Sequence, residues 1–90
     1  MSQPINLSMG PVEKIIREKL SSILMPSALE LTNESPQHGL PAAAERHFRL
    51  VVVCENFEGL SRVERHRLVN QILAVELQTL LHALSIQAFT

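Results

Sequence analysis

Four histidines and one cysteine carry most of the chemistry that this sequence offers. The histidines are His38, His47, His66 and His82, and the cysteine is Cys54. Imidazole nitrogens ligate transition metals and also transfer protons near neutral pH. The sequence contains neither a cysteine pair nor the two-histidine helical zinc motif. We therefore expect that the chain does not complete a metal site by itself.

The position of each histidine in the sequence pattern allows an ordinary structural role. His66 lies in "ERHRL" at the side of an apolar helical stripe, and His47 opens a strand on its partly polar face. His38 lies in the middle of a long loop. His82 begins the last strand, in a register that points towards the helices but close to the rim, where Glu76 could bond it. The pattern alone therefore favours a boundary role for His82 and no function for His38.

No catalytic arrangement is visible. The three glycines are scattered, so no glycine-rich phosphate loop exists, and a serine with a distant histidine does not make a triad. Cys54 shares the core-facing register of Phe48 and Val52, which is typical of a buried thiol. Arg65 and Glu76 fall within the apolar sector of the second helix, near its ends, where both side chains can reach water. We expect that the protein is not an enzyme.

Size and composition predict one small globular domain over residues 10–90, preceded by a flexible polar arm over residues 1–9. The chain has 90 residues, of which 46% are hydrophobic and 19% charged, with a net charge of −1. That charge argues against a surface that coats nucleic-acid phosphates. We see no apolar run of ~18 residues for a membrane span and no Arg or Lys among the first ten residues for a targeting peptide.

Periodicity and end signals predict two helices and three strands. Helical spacing of apolar residues, opened by a proline and closed before Pro26, indicates the first helix. Ser61 and Glu64 form a capping box that starts the second helix. Alternation indicates the strands. The predicted elements are a helix from Pro11 to Leu24, strands over 28–33 and 47–55, a helix from Arg62 to Thr79, and a strand over 82–89.

The order of these elements predicts an α+β fold of the αββαβ type. The first two strands can pair antiparallel through a loop from Ser35 to Arg46, whose prolines and glycine argue against regular structure. The last two strands enclose a helix, so they should be parallel with a right-handed crossover. We expect a three-stranded mixed sheet in the order one-two-three, with both helices packed on one face.

Five stretches of the sequence resemble the BolA-like family, and in particular its mitochondrial-type members. They are "GPVEKIIREKL", "LELTNES" followed by a histidine-containing loop, "HFRLVVV", "FEGLSRVERHRLV" and "VELQTLLHALSIQA". The "RHR" within an apolar helix and the "HAL" near the end are the most specific. The resemblance spans Gly10 to Ala88, so it implies one BolA-like domain with a fold similar to a type II KH domain.

The resemblance implies a function in iron–sulfur cluster maturation or iron regulation. The family implies a monothiol glutaredoxin as partner, with a 2Fe–2S cluster shared between the two proteins and glutathione. His82 matches the family's C-terminal histidine, and His38 matches its variable His-or-Cys loop position. Since such a cluster needs four ligands and this chain has one cysteine, the isolated chain should bind none. The resemblance implies a mitochondrial or cytoplasmic location and leaves a homodimer open.

Nucleic-acid binding is the main alternative, because KH domains bind nucleic acid. The candidate partner or nucleic-acid surface is the basic run Arg62, Arg65, His66 and Arg67. KH domains hold the backbone with a GXXG loop. The matching turn here begins at Gly59 and ends at Arg62, without a second glycine. We therefore expect any nucleic-acid binding to be weak and salt-dependent.

Overall fold

The computed structural model describes residues 10–39 and 44–90 of the chain. The predicted arm, residues 1–9, lies outside the described residues. The described elements, in chain order, are α1 (Pro11–Leu24), β1 (Ala28–Asn33), a 3₁₀ helix (Ser35–His38), β2 (His47–Val53), a 3₁₀ helix (Glu55–Phe57), α2 (Arg62–Ile72), α3 (Ala74–Thr79) and β3 (Ala83–Phe89). The bounds of α1 and β1 are as predicted.

The described strands form one mixed sheet in the order β1-β2-β3. β1 pairs antiparallel with β2, and β2 pairs parallel with β3. The register places Leu31 beside Leu50 and Leu50 beside Ile86. These are the predicted strand order and orientations.

The core lies between the helices and one face of this sheet. Phe48, Leu50 and Val52 of β2 are buried, as their alternation predicts. Residues of the opposite parity, such as Arg49 and Ser85, are exposed. The remaining members of the core cluster are Ile16, Leu20, Leu24, Leu31, Cys54, Phe57, Val69, Leu73, Leu81 and Ile86. Because α1 and α2 both bury residues in this one cluster, the prediction that the helices share a face is confirmed.

The single predicted second helix is in fact bent into α2 and α3. Leu73 leaves the helical conformation at φ −101° and ψ 21°. Its N–H still donates to the Val69 carbonyl at 3.0 Å, and the Leu77 N–H donates to the Leu73 carbonyl at 2.9 Å. No Gly or Pro lies between Arg62 and Thr79, so neither of these helix-breaking residues causes the bend.

Three further boundaries differ from the predictions. The connection after β1 contains a 3₁₀ helix, Ser35–His38, which Gly39 ends at φ 79°, so the predicted absence of regular structure is wrong. β3 starts one residue after His82. β2 ends at Val53 because Cys54 instead caps the following 3₁₀ turn, its sulfur accepting from the Asn56 N–H at 3.4 Å. Cys54 is buried, as predicted, and its thiol donates to the Leu24 carbonyl at 3.1 Å.

Glu76 is buried, which contradicts the prediction that it reaches water. Only 6% of the residue is exposed. Its two carboxylate oxygens lie 3.0 and 3.2 Å from Nζ of Lys19 on α1. A buried carboxylate needs such a partner, because an unpaired charge in the interior is costly. The bend at Leu73 thus goes together with an ion pair that joins α3 to α1.

The ends of the long helices follow local rules. α1 begins at Pro11 and ends where Met25 turns left-handed at φ 47°. At the start of α2, the Ser61 hydroxyl accepts from the Glu64 N–H at 3.1 Å, and the Glu64 carboxylate accepts from the Ser61 N–H at 2.8 Å. This is the predicted capping box. None of the helices in the described residues is long and apolar enough to cross a membrane.

The capping box predicts how Glu64 contributes to stability as pH changes. The Ser61 backbone N–H, and then the Ser61 side chain, lower the pKa of Glu64 below its ordinary value. A lowered folded-state pKa means that the contribution is complete above the unfolded-state value of about 4.3 and is lost as pH falls through the lowered one. Urea unfolding should therefore show Glu64→Gln less stable than the parent chain at pH 7, with the difference shrinking as pH falls below about 4.

Glu58→Gln, at an exposed site in the preceding turn, is the matched control and should show no such pH-dependent difference. A Glu64→Gln deficit that is the same at pH 7 and at pH 3 would contradict the role of the ionised carboxylate.

Candidate metal-ligand site

The sheet topology brings three of the four histidine-bearing segments to one end of the sheet. β1 ends there, and β2 and β3 begin there, because β1 is antiparallel to β2 and β3 is parallel to it. His47 is the first residue of β2, and His82 directly precedes β3. The 3₁₀ helix that follows β1 ends at His38. We call this end of the sheet, with Arg46, His47 and His82, the histidine corner.

His82 is held by its backbone and exposes its ring. The His82 N–H donates to the Arg46 carbonyl at 2.8 Å, and the Ala83 N–H donates to the same carbonyl at 3.1 Å. The residue is exposed. Its Nε2 lies 3.3 Å from Nη1 of Arg46, so the expected bond to Glu76 is wrong, since Lys19 takes that carboxylate. The outcome is a surface imidazole on a fixed backbone.

His47 is closer to His82 than the sequence suggested. Its ring centroid lies 5.6 Å from that of His82, with the two ring planes at 89°. His47, which opens β2 on its partly polar face as predicted, is half-buried. Edge-to-face packing at this separation is a favourable arrangement of two rings. His47 therefore limits the space in which the His82 ring can turn.

A buried serine connects the histidine corner to the segment that carries His38. Ser35 has no exposed surface. Its hydroxyl accepts from the Arg46 N–H at 3.0 Å and from the His47 N–H at 3.2 Å. The Ser35 N–H in turn donates to the Asn33 side chain at 2.9 Å. The 3₁₀ helix is thus attached to the start of β2, although the side chain of His38 itself lies outside what the structure describes.

Glu45 fixes the other side of this connection. Its Oε1 accepts from the Val12 N–H at 3.1 Å, and its Oε2 accepts from the Glu13 N–H at 2.9 Å. The carboxylate therefore caps the N-terminus of α1, where the helix dipole favours a negative charge. A Cβ on Gly10 would occupy the space of this carboxylate, so a larger residue there would have to displace the Glu45 side chain from its cap.

A cleft of about 500 Å³ opens beside His82, between the start of α1 and the end of α3. Val12, Glu45, Arg46 and Gln78 are among the residues that line it. Among residues 10–39 and 44–90, no three side chains of the types His, Cys, Asp and Glu come together closely enough to hold a metal ion. The described part of the corner therefore offers one exposed imidazole beside a cleft, and not a complete metal site.

The fold and the sequence together identify the family. Residues 20–90 match the family described as BolA-like protein. The chain belongs to the BolA-like family. BolA-like protein 1 of Mus musculus is 54% identical over 81 residues, which are 90% of this chain and 59% of the relative. The chain thus spans about three-fifths of the length of that relative.

Two further similarities extend to a bacterium and a plant. A Vibrio cholerae protein named DNA-binding transcriptional regulator BolA is 47% identical over 79 residues, which are 88% of this chain and 74% of that protein. The solved structure of the BolA domain of SufE1 from Arabidopsis thaliana matches with a TM-score of 0.84 at 46% identity, covering 90% of this chain and 93% of that one. The BolA-like fold is therefore shown both by sequence and by structure.

The basic residues at the start of α2, which form the candidate partner or nucleic-acid surface, differ in exposure. Arg62 and Arg67 are exposed and His66 is partly exposed. Arg65 instead bonds within the fold. Its Nε and Nη1 donate to the carbonyls of Leu60 and Ala88, both at 3.0 Å. Arg62 and His66 line a second cleft, of about 460 Å³, beside residues 86–89 at the far end of β3.

Sequence reasoning missed three residues that support the histidine corner, namely Ser35, Glu45 and Arg46. Each acts through contacts with residues at least 11 positions away in the chain. The signal that could have found Ser35 is its place directly after Asn33-Glu34 at the end of a strand, because Asn and Ser commonly bond nearby backbone in turns. Glu45 and Arg46 carry no such local signal.

Ser35→Ala tests whether the buried hydroxyl supports the corner. The substitution removes a buried hydroxyl and leaves the part-buried N–H groups of Arg46 and His47 without their acceptor, which should lower the free energy of unfolding by about 1–3 kcal/mol. Urea denaturation measures that loss. Hydrogen exchange should also accelerate at these two amides more than in the centre of β2.

Ser21→Ala, at an exposed position of α1, is the matched control and should change stability by less than about 0.5 kcal/mol. Equal stability of Ser35→Ala and the parent chain would show that the hydroxyl is not needed.

Proposed function

We propose that this BolA-like chain is a non-enzymatic partner of a monothiol glutaredoxin in iron–sulfur cluster maturation or iron regulation. In this proposal, His82 is a ligand to a 2Fe–2S cluster shared with the glutaredoxin and glutathione. The observation that carries the proposal is the placement of His82. Its ring is exposed at the rim, while the Arg46 carbonyl accepts hydrogen bonds from the backbone N–H groups of His82 and Ala83. Ligands on a fixed backbone bind with little loss of conformational freedom.

The residues of the chain fit a cluster shared with a partner better than a cluster bound by this chain alone. A 2Fe–2S cluster takes four protein or thiol ligands, and it supplies one-electron redox chemistry at a potential that histidine ligation raises. Cys54 is 2% exposed and its thiol bonds to the Leu24 carbonyl, so it is not available at the corner. The chain can therefore offer imidazole nitrogens, and a partner must bring the thiols.

His38 is the second ligand in this proposal. Its segment is attached to the start of β2 by Ser35, and it lies at the same end of the sheet as His82. A ligand on a short 3₁₀ helix next to a glycine has more freedom than one next to a strand. We therefore assign His82 the firm position and His38 the adaptable one.

Nucleic-acid binding is the second candidate function. Two observations favour it: the name of the Vibrio cholerae relative, and the exposure of Arg62 and Arg67 at the start of α2. Against it stand the net charge of −1 and the use of Arg65 within the fold. Few free cations on one face allow few phosphate contacts.

His82→Ala should abolish the histidine-ligated cluster in the mixed complex, because it removes the one exposed imidazole that the described residues hold at the histidine corner. The purified chain is mixed with a monothiol glutaredoxin, glutathione, iron and sulfide, and the visible circular dichroism is recorded. The isolated parent chain should stay colourless. Since the ring is exposed, the thermal melt of the variant alone should be nearly unchanged. His38→Ala should give a weaker or altered spectrum.

His66→Ala is the matched control, since it removes an imidazole at the far end of β3, and its spectrum should equal that of the parent complex. An unchanged spectrum with His82→Ala would refute the ligand assignment. A complex that forms without any cluster would favour a simple adaptor role. Unfolding of His82→Ala would show a purely structural histidine.

Weak, salt-dependent nucleic-acid binding is expected if the glutaredoxin function is correct. Fluorescence anisotropy with a labelled DNA duplex should give a Kd no tighter than about 10⁻⁵ M at physiological salt. The double variant Arg62→Gln, Arg67→Gln should reduce the salt slope by about 2, one for each lost phosphate contact. Tight, sequence-selective binding at physiological salt would instead support the second candidate function.

A further inference from the structure

Arg46 contacts His82 through both its backbone and its side chain. The Arg46 carbonyl accepts from the His82 and Ala83 N–H groups at 2.8 and 3.1 Å. Its Nη1 also lies 3.3 Å from His82 Nε2. The parallel register that pairs His47 with Ala83 sets these two residues side by side, although 36 positions separate them in the chain. The side-chain contact is therefore a consequence of strand register.

The chemistry of the two groups decides the direction of this hydrogen bond. A guanidinium group has donors and no acceptor, and it stays protonated in proteins. Nε2 of His82 must therefore accept, with its lone pair directed at Arg46. In a neutral ring the proton then lies on Nδ1. Free histidine in water prefers the opposite arrangement, with the proton on Nε2, so the contact selects the less common tautomer.

We propose that Arg46 is a positioning residue for His82, which holds the ring as the Nδ1–H tautomer with the Nε2 lone pair directed at the guanidinium. The ring of His47, at 89° to that of His82, limits the alternative orientations. The consequence for cluster binding rests on the proposed function: Nε2 is the atom that coordinates iron, and Arg46 leaves it when iron binds.

The exposure of the contact makes this exchange feasible. Arg46 and His82 are both exposed, and a solvent-exposed hydrogen bond is weak because water competes for both partners. A metal ion can therefore displace the guanidinium, which turns into solvent without leaving a buried charge. The ring that remains already has its lone pair on Nε2, so no proton has to move between the ring nitrogens before coordination.

The tautomer can be measured in the isolated chain, without iron or glutaredoxin. Long-range ¹H–¹⁵N correlation spectra of ¹⁵N-labelled protein distinguish a protonated from an unprotonated ring nitrogen. The spectra are recorded at about pH 8.5, above the ordinary pKa range of histidine. In the parent chain, the fraction of His82 with an unprotonated Nε2 should exceed that of free histidine. Arg46→Met should shift the tautomer ratio towards Nε2–H by about two- to tenfold, the range expected for one exposed hydrogen bond.

Two variants control for charge and for the donor. Arg62→Met removes the same charge at the far end of β3 and should leave His82 unchanged. Arg46→Lys restores a cationic donor and should recover part of the Nδ1–H population. Backbone amide spectra of β2 and β3 confirm that each variant is folded, and Arg46→Leu, which also lacks a donor, serves in place of Arg46→Met if the latter is not folded.

The outcomes separate this inference from the proposed function. A tautomer ratio that does not respond to loss of the Arg46 guanidinium overturns the positioning role, even if His82→Ala still abolishes the shared cluster. A ratio that responds as expected supports the positioning role, even if the mixed complex acquires no cluster. An Arg62→Met shift equal to that of Arg46→Met would show a general charge effect and would also overturn it.

Discussion

The hydroxyl of one buried serine holds together the end of the sheet on which the candidate site depends. Ser35 accepts the N–H groups of Arg46 and His47. The Arg46 carbonyl then accepts the N–H groups of His82 and Ala83. A continuous set of hydrogen bonds thus runs from the segment that bears His38 to the exposed ring of His82. Because buried polar groups are costly when unpaired, these contacts stabilise each other.

The parallel pairing of β2 and β3 is what makes such a corner available. Parallel strands begin at the same edge of a sheet, so residues that precede or open them become neighbours. The helical crossover between β2 and β3 must pass over one face of the sheet. Here it bends at Leu73, and its second half, α3, is joined to α1 by the ion pair between Glu76 and Lys19. The core therefore determines where β3 starts, and with it where His82 lies.

The two candidate surfaces of this BolA-like domain lie at opposite ends of β3. At ~3.3 Å per residue, the seven residues of β3 separate them by about 20 Å. Arg65 connects the far end of the sheet to the helices by bonding the Ala88 carbonyl, and its guanidinium lies 6.0 Å from the ring centre of Phe57. The histidine corner is thus separate from the basic surface, so substitutions at one end report on one function.

The sequence by itself determined what local rules control, and the tertiary structure decided the rest. Periodicity, prolines and the capping box predicted the extents of α1 and β1, the start of α2 and the buried face of β2, because each depends on residues close together in the chain. The order of the elements predicted the strand order. Glu76 pairs with Lys19, His47 packs against His82, and Arg46 contacts His82. These contacts join residues 35 to 57 positions apart. Such contacts depend on strand register and on packing between helices, which no local pattern records, so only the folded chain could reveal the surroundings of His82.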